Sequence, residues 1–381
     1  MESVAARSHR GVALRIVFPS HRRPPAQHFE PDGAREKEDD YCRRLKTEYL
    51  STHTPPLFAA AVKKAAESLR AGEVVALPTE TVYGLAANAL DAAAVGKIFQ
   101  IKGRPAHNPI IVHVASSEMA AVCAADFPPL AEKFSQAFWP GPLTLVLPRA
   151  KKIPDVVTAG GGTVGLRWPS HPFMQAVIRE CGFPLAAPSA NLSNQISPTN
   201  AEHVRAQLDG KIPLVVDGGQ SQVGIESTVL DLTAGPPQIL RPGMIHLASL
   251  RAVAGDVRGL PEKNPSSAAA LRSPGLLAKH YAPKAKLLVA HWQDEAELKW
   301  HIAQFKFPIA AVHIIAHTRI PTSFGAANVS VIPHDAEAFA RALYAELHRC
   351  DAVGAQLIVV EAPPALPEWT GIADRLRRAA A

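Results

Sequence analysis

The sequence of 381 residues contains few cysteines, few aromatic side chains and no long apolar run. Its four cysteines, Cys42, Cys123, Cys181 and Cys350, are far apart and form neither a C-x-x-C pair nor a cysteine and histidine cluster with zinc spacing. We therefore expect a reducing compartment, no disulfide framework and no structural metal. The apolar runs fall far short of the roughly 20 residues that a membrane-spanning helix needs, so no membrane span is expected.

The sequence also lacks the short motifs of several large enzyme classes. It contains no GxxxxGK[ST] P-loop, no GxSxG nucleophile elbow, no HExxH metal motif and no protein-kinase signature. Lys and Arg number 40 against 34 Asp and Glu, a net charge of +6 that is compatible with anionic small molecules or RNA contact. Aromatic residues make up only 6% and the basic residues are not concentrated in one block, which argues against a dedicated RNA-binding protein.

Changes of composition along the chain predict four segments. Residues 1–54 mix prolines, arginines and an acidic cluster, and we expect a mobile N-terminal extension. Short apolar strands alternate with helical stretches over residues 55–255, which predicts an α/β domain with a mixed sheet. Residues 256–285, rich in Pro, Ser and Ala, predict a linker, and residues 286–381 predict a smaller α/β domain with an open parallel sheet.

Two cations follow a predicted helix in the segment IKGRPAHNP, residues 101–109. Lys102 and Arg104 are two positions apart at a loop, and such a pair suits a polyphosphate because Arg binds oxygens bidentately while Lys acts as a point charge. The same residues also fit an ordinary solvated helix C-terminus, which the helix dipole favours. Spacing alone leaves both interpretations open.

Small polar residues follow several of the predicted strands. Thr79 and Thr81 come directly after a strand, where α/β sheets place ligands. Three glycines at residues 160–162 precede a strand, which lets backbone N–H groups approach an anion but also occurs in tight turns. Ser189 and Asn191 leave a further strand, and such side chains either donate to a nucleotide or cap the following helix.

Two polar side chains are predicted to lie inside apolar strands. Arg167 needs a carboxylate or phosphate partner to offset its desolvation, and a ligand carboxylate and an internal Asp or Glu fit equally well. His113 lies within PIIVHV, residues 109–114, and a lone strand histidine is more often a satisfied core residue than a ligand-binding one.

Taken together, these segments resemble the YrdC-like family of threonylcarbamoyl-AMP synthases in its long, two-domain form. PTETVYGL is intact at residues 78–85, and the family's lysine-x-arginine and serine-x-asparagine motifs correspond to Lys102 with Arg104 and Ser189 with Asn191. PGPxT, LRxP, SPT, ESTV and RPG recur in this order, residues 273–283 carry SPGxxxxHYAP, and residues 371–380 carry GIADRLRRAA. The resemblance covers about residues 55–381. It implies a YrdC-like twisted mixed sheet with helices and a smaller Rossmann-like C-terminal domain.

The resemblance implies an L-threonylcarbamoyladenylate synthase, a nucleotidyltransferase that makes threonylcarbamoyl-AMP and pyrophosphate from L-threonine, bicarbonate or CO2, and ATP. The product is used to modify the adenosine next to the anticodon of certain tRNAs. When the family's residue roles are transferred to the matching positions of this sequence, Lys102 and Arg104 are the implied catalytic residues. The residues implied for threonine are Thr81, His113, Arg167, Ala187 and Ser227. Those implied for ATP are Arg104, Asn108, Thr163, Ser189, Asn191, Ser197, Arg241 and Tyr281.

The resemblance also implies a cofactor and partners. Mg2+ would accompany ATP with few direct protein ligands. The product would pass to tRNA-modifying threonylcarbamoyl-transferase proteins in the cytoplasm, with at most a weak tRNA contact and no membrane partner. Tyr281 is expected to reach over the nucleotide, and residues 273–283 to form a lid that excludes water. The alternative function is a double-stranded RNA or tRNA binding module of the same fold.

Overall fold

A computed structural model describes residues 45–260, 274, 280–325 and 328–381 of the chain. These ranges form two β-sheets, one of ten strands and one of four, together with the helices that connect their strands. Most of the predicted N-terminal extension and of the predicted linker lies outside the described residues. Within the described ranges, no helix has the length and apolar character needed to cross a membrane.

The larger sheet is mixed, which confirms the predicted fold class. Its strands in chain order are β1 (Glu48–Ser51), β2 (Val75–Leu77), β3 (Gly84–Asn88), β4 (Val112–His113), β5 (Leu143–Pro148), β6 (Thr163–Arg167), β7 (Leu185–Ala186), β8 (Leu214–Asp217), β9 (Thr228–Asp231) and β10 (Gln238–Arg241). Their order across the sheet is β1-β8-β2-β3-β7-β4-β6-β5-β9-β10. The central strand β4 is parallel to β6 and antiparallel to β7. Several strands therefore end on the same side of the sheet.

The helices of this part alternate with its strands, as predicted. They are α1 (Pro55–Arg70), α2 (Ala92–Lys102), α3 (Ser117–Cys123), α4 (Pro129–Phe138), α5 (Asp155–Thr158), α6 (Pro172–Cys181), α7 (Ala201–Leu208) and α8 (Leu247–Ala254). Helix α1 buries the apolar stripe that includes Val62 and Leu69, and it packs with α6 residues such as Val177. After α1 the chain turns at Gly72, whose φ of +76° is a conformation that glycine adopts without strain.

One strand of the larger sheet precedes the predicted boundary at residue 55. Glu48 pairs in register with Leu214, so β1 extends the sheet as a parallel edge strand beside β8. The Thr47 hydroxyl adds a hydrogen bond of 2.7 Å to the Ile212 carbonyl. Four residues of the predicted N-terminal extension therefore belong to the sheet. The sequence gives little sign of this strand, because backbone hydrogen bonds hold a short edge strand without an alternating apolar pattern.

The smaller sheet is entirely parallel, as the sequence predicts for the C-terminal segment. It contains β11 (Lys286–Ala290), β12 (Val312–Ala316), β13 (Val329–Val331) and β14 (Leu357–Glu361), in the order β11-β14-β12-β13. Its helices are α9 (Glu295–Ala303), α10 (Ala336–Ala352) and α11 (Thr370–Ala379). The predicted strand over residues 309–316 begins with a 3-10 turn, Ile309–Ala311. The strands of the smaller sheet alternate with helical segments along the chain, as in a Rossmann-like domain.

Helices α10 and α11 pack against loops of the larger sheet. Ile196 and Ile225 from these loops share a buried apolar cluster with Phe339 and Leu343 of α10. Gly224 lies at the closest approach, where a Cβ atom would stand 2.4 Å from the carbonyl oxygen of Ala340. Only glycine fits there, and its φ of +83° is also unfavourable for other residues. The two parts of the chain are therefore packed closely beside the strand ends.

Two histidines stack across this interface and predict a pH-dependent stability. The rings of His203 on α7 and His348 on α10 have centroids 3.9 Å apart. Burial lowers the pKa of His203 to about 3, with a further contribution from His348, and burial lowers the pKa of His348 to about 4. Both stay neutral in the folded protein while unfolded histidines protonate near pH 6.5, so the free energy of unfolding falls as the pH drops below about 6.5.

Replacing His203 by glutamine is expected to reduce this pH dependence. Denaturant unfolding at pH 7.5 and pH 5 measures it for His203→Gln, for the unaltered protein and for a control at the exposed His107, His107→Gln. The variant lacks one histidine that takes up a proton only on unfolding. The difference in unfolding free energy between the two pH values therefore becomes smaller in His203→Gln only. An undiminished difference contradicts the assignment.

Candidate active site

The strand ends of the larger sheet surround a cavity of about 560 Å³, a volume that includes space open to solvent. His113 and Arg167 are register partners on the parallel strands β4 and β6, so they stand side by side at one edge. The loops after β2 and β7 and the residues before β9 complete the wall. The lining consists of Thr79, Thr81, Val82, Gly84, Arg104, Ile110, Ile111, His113, Arg167, Ala187, Pro188, Ser189, Glu226, Ser227, Arg241, Pro274, His280 and Tyr281.

The buried guanidinium of Arg167 is one of the polar groups that line the cavity. Its Nη1 donates to the Thr81 hydroxyl at 2.9 Å and its Nε to the Gly141 carbonyl at 3.3 Å. The third nitrogen, Nη2, lies 2.7 Å from Glu80 Oε1, although the two groups are not aligned for a hydrogen bond. The internal carboxylate that the sequence left open as a partner is therefore Glu80. Because Arg167 also lines the cavity, a ligand carboxylate can reach it as well.

His113 is a neutral member of the same wall. Burial lowers the pKa of its imidazole to about 3, and the nearby positive charge of Arg167 acts in the same direction. The backbone of Ile111 and Leu185 lies close to the imidazole and acts in the opposite direction on its pKa. His113 also lines the cavity beside Arg167. His113 is therefore more than the satisfied core residue that its strand position favours.

Arg241 and Ser227 form a second polar group in the cavity wall. Arg241 Nε donates to the Ser227 carbonyl and Nη2 to the Ser227 hydroxyl, both at 3.1 Å. The same hydroxyl lies 2.8 Å from Thr144 Oγ1. Arg241 Nη1 donates to the Pro274 carbonyl at 3.2 Å, which connects this group with the linker. These contacts hold a buried cation in one orientation, which suits the recognition of an anion.

Arg104 adds a third cation to the cavity. Its Nε donates to the Asn108 carbonyl at 3.0 Å and its Nη2 to the Pro109 carbonyl at 2.6 Å, which fixes the plane of the guanidinium. Burial lowers its pKa to about 10, so Arg104 remains charged at neutral pH. The alternative interpretation of Arg104, as part of an ordinary solvated helix C-terminus, is therefore wrong. Arg104 instead faces the space that it shares with Arg241.

Lys102 lies beside the cavity and outside its lining. The buried ammonium group donates to the backbone carbonyls of Ser189 and Asn191. Burial, and then the charge of Arg104, lower the pKa of Lys102 well below its usual value. These contacts tie the end of α2 to the loop after β7. Lys102 therefore fixes the position of Ser189, which does line the cavity.

Four residues implied for ATP also lie outside the cavity lining, and two of them, Asn108 and Ser197, support residues of the wall. Asn108 holds Arg104 through its backbone carbonyl, and Asn191 donates from its side chain to two carbonyls of its own loop. Ser197 donates to Glu226 Oε1 at 2.6 Å. The fourth, Thr163, lines an adjacent small cavity that shares Ile110, Ile111 and Pro274 with the main one.

Tyr281 brings the linker to the cavity. It is buried, with a φ of +63° that is uncommon for a residue other than glycine. Its hydroxyl is close to Arg241 without forming a hydrogen bond of normal geometry, and its ring lies against the ring of His280, 3.9 Å between centroids. Of the expected lid over residues 273–283, positions 273 and 275–279 lie outside the described residues.

Three charged residues near the cavity were not predicted from the sequence. Glu80 and Glu226 lie within PTETVYGL and ESTV, and their position beside hydroxyl residues in these motifs was the available signal. Both are buried in the structure. Arg375 reaches Glu226 from helix α11, with a distance of 2.7 Å between Arg375 Nε and Glu226 Oε2. The pair is separated by 149 positions, so no local pattern could indicate it.

The described residues do not contain a group of three or more His, Cys, Asp and Glu side chains arranged for a metal ion. The carboxylate in the cavity lining belongs to Glu226, and its oxygens accept hydrogen bonds from Ser197, Tyr344 and Arg375. These residues fit an ion that enters with a polyphosphate and takes most of its oxygen ligands from it.

Known proteins match the chain over both of its parts. Residues 67–243 match the Sua5/YciO/YrdC domain family, described as telomere recombination, and residues 245–381 match the C-terminal domain of threonylcarbamoyl-AMP synthase. A threonylcarbamoyl-AMP synthase of Pyrococcus abyssi is 41% identical over 321 residues, which is 84% of this chain and 93% of that protein. The chain belongs to the threonylcarbamoyl-AMP synthase family.

Further members support the same assignment. A threonylcarbamoyl-AMP synthase of Bacillus subtilis is 40% identical over 340 residues, 88% of this chain and 95% of that protein. The crystal structure of P. abyssi Sua5 complexed with L-threonine matches with a TM-score of 0.79 and 39% identity, covering 87% of this chain and 96% of that one. The family, its two-domain form and its fold were thus predicted correctly from the motifs. The predicted function is confirmed at the level of the family.

Proposed function

We propose that this protein is an L-threonylcarbamoyladenylate synthase that acts as a nucleotidyltransferase. It combines L-threonine, bicarbonate or CO2, and ATP into threonylcarbamoyl-AMP and releases pyrophosphate. The observation that carries the proposal is one cavity lined by Arg167, Arg104 and Arg241 together with small hydroxyl side chains. The P. abyssi relative is named for this product, and its solved structure holds L-threonine. In this proposal, a carboxylate site at Arg167 and a polyphosphate site at Arg104 and Arg241 share one cavity.

The amino acid binds at the Arg167 end of the cavity. Arg167 takes the carboxylate of threonine, while Thr81 and Ser227 offer hydroxyl groups to the rest of the molecule. The amine must lose a proton before it can form the N–C bond with CO2 that yields the carbamate. His113 stays neutral and adds no positive charge beside that amine. His113 lines the cavity beside Arg167 and helps to orient the substrate there.

The nucleotide binds at the cationic end. A carbamate oxygen attacks the α-phosphorus of ATP, and the bond from that phosphorus to the pyrophosphate oxygen breaks. Arg104 and Arg241 stabilise the charge on the phosphate oxygens, and no protein nucleophile is needed. Lys102 acts through Ser189, whose backbone carbonyl it holds. Binding, orientation and charge stabilisation are therefore the contributions of this chain.

The mixed anhydride product is sensitive to hydrolysis, so water must be kept from it. Tyr281 and His280 of the linker close one side of the cavity and serve this purpose. Mg2+, when it enters with ATP, neutralises phosphate charge. Since the product carries an activated carbamoyl group, a transferase that acts on tRNA must consume it. We propose such proteins as cytoplasmic partners, with only a weak direct contact between this chain and tRNA.

The reaction is tested by incubating the protein with ATP, bicarbonate and each amino acid in turn, and by measuring pyrophosphate and adenylate products. We expect release of pyrophosphate that requires both bicarbonate and L-threonine. A titration with tRNA at several salt concentrations is run in parallel. Tight, salt-dependent tRNA binding without pyrophosphate release would replace this proposal by the RNA-binding alternative.

A further inference from the structure

Helix α11 of the C-terminal domain touches both the cavity wall and the linker. A Cβ atom added to Gly371 would stand 3.1 Å from the backbone of Gly243, directly after the strand that carries Arg241. Near the other end of the helix, the Arg378 carbonyl accepts a hydrogen bond of 3.1 Å from the backbone N–H of His280. The helix therefore connects two segments that line the cavity.

Arg375 is the fully buried cation of this helix, and all three of its nitrogens have partners. Nε lies 2.7 Å from Glu226 Oε2 and Nη2 lies 3.2 Å from the Glu226 carbonyl oxygen. Nη1 donates to the Pro242 carbonyl and to Asp374 Oδ2, each at 3.0 Å. The guanidinium also lies 5.4 Å from the ring centroid of Tyr281. Arg375 thus contacts three segments around the nucleotide end.

Glu226 is an anion inside a site that is otherwise suited to anions. It lines the same cavity as Arg241. Burial raises the pKa of its carboxyl, but Arg375 and then Arg241 lie close enough to bring the pKa below its usual value. A buried carboxylate pairs with the cation that it can reach. If it paired with Arg241, it would compete with a phosphate for that guanidinium. Arg375 provides the alternative partner.

We propose that Arg375 is a positioning residue of the nucleotide site, which holds the Glu226 carboxylate away from Arg241 and keeps Tyr281 over the cavity. The inference rests on the proposed function, since it takes ATP as the anion. It gives the C-terminal domain a direct task in the active site: the domain supplies the cation that leaves Arg241 available for the phosphates.

The test compares Arg375→Met with the double variant Arg375→Met/Glu226→Gln. We expect Arg375→Met to raise the KM for ATP by about tenfold or more, because one charged partner of the phosphates is lost, while the KM for threonine changes little. In the double variant no carboxylate remains to compete for Arg241, so the KM for ATP returns towards that of the unaltered protein. Arg377→Gln is the matched control, since Arg377 binds Asp374 on the same helix but is exposed.

A purely structural role gives a different result. In that case Arg375→Met lowers kcat and the unfolding temperature without a selective change in the KM for ATP, or the double variant does not recover, and either outcome overturns the inference. If Arg375→Met does not fold, Glu226→Gln provides the test: a KM for ATP equal to or below that of the unaltered protein supports the inference, and a higher one overturns it. Absence of ATP binding by the unaltered protein would overturn the proposed function itself.

Discussion

Replacing Arg104 by glutamine is expected to lower the rate of pyrophosphate release by about a hundredfold or more, the usual effect of removing a preorganised donor from a developing charge. Arg104 remains charged at neutral pH, since its pKa lies at about 10, and two carbonyls fix the plane of its guanidinium. A cation held in this way needs no reorganisation during the reaction. Lys102→Ala is expected to lose turnover to a similar extent, because Ser189 loses its anchor.

Pyrophosphate release under saturating substrates, with circular dichroism for folding, measures this effect. The exposed Arg179, which binds Gln175 on α6, provides the control Arg179→Gln with the same change of charge. Turnover of Arg104→Gln close to that of the control would remove Arg104 from the reaction. The phosphate charge would then be stabilised by other cations of the cavity.

The residues at the strand ends were predictable because topology alone brings them together. Arg167 and Ser189 follow or end buried strands, and strand ends on the same side of an α/β sheet share one edge. Residue type then indicated anion binding there. The motif order added the family, and with it Tyr281 from the linker, which no local pattern places near Arg104.

The supporting contacts could not be predicted in the same way. The resemblance implies Asn108 and Ser197 for ATP, but they act on the site through Arg104 and Glu226, and only the folded backbone shows which group each one reaches. The pairing of Glu226 with Arg375 depends on how two domains dock. A buried charge signals that a partner exists but not where in the chain that partner lies.

Loss of the Arg167 guanidinium is expected to weaken threonine binding and to leave ATP binding nearly unchanged. Hydrogen bonds to charged groups contribute about 1.5–3 kcal/mol, so the KM for threonine should rise from about tenfold to more than a hundredfold. The single substitution Arg167→Gln would not isolate the effect on threonine binding, because Glu80 would remain as a buried carboxylate without its cation. Breaking such a pair costs about 3–5 kcal/mol of stability.

The decisive comparison is therefore between Glu80→Gln and the double variant Arg167→Gln/Glu80→Gln, with the KM for threonine and for ATP measured in each. Glu80 lies 2.7 Å from Arg167 Nη2 and so pairs with the guanidinium that we propose for the substrate carboxylate. The two anions would compete, and Glu80→Gln should bind threonine at least as tightly as the unaltered protein. The double variant lacks the guanidinium and should bind it far more weakly. A rise in the KM for ATP with an unchanged KM for threonine would assign Arg167 to the nucleotide, and the amino acid would then need a different carboxylate partner in the cavity.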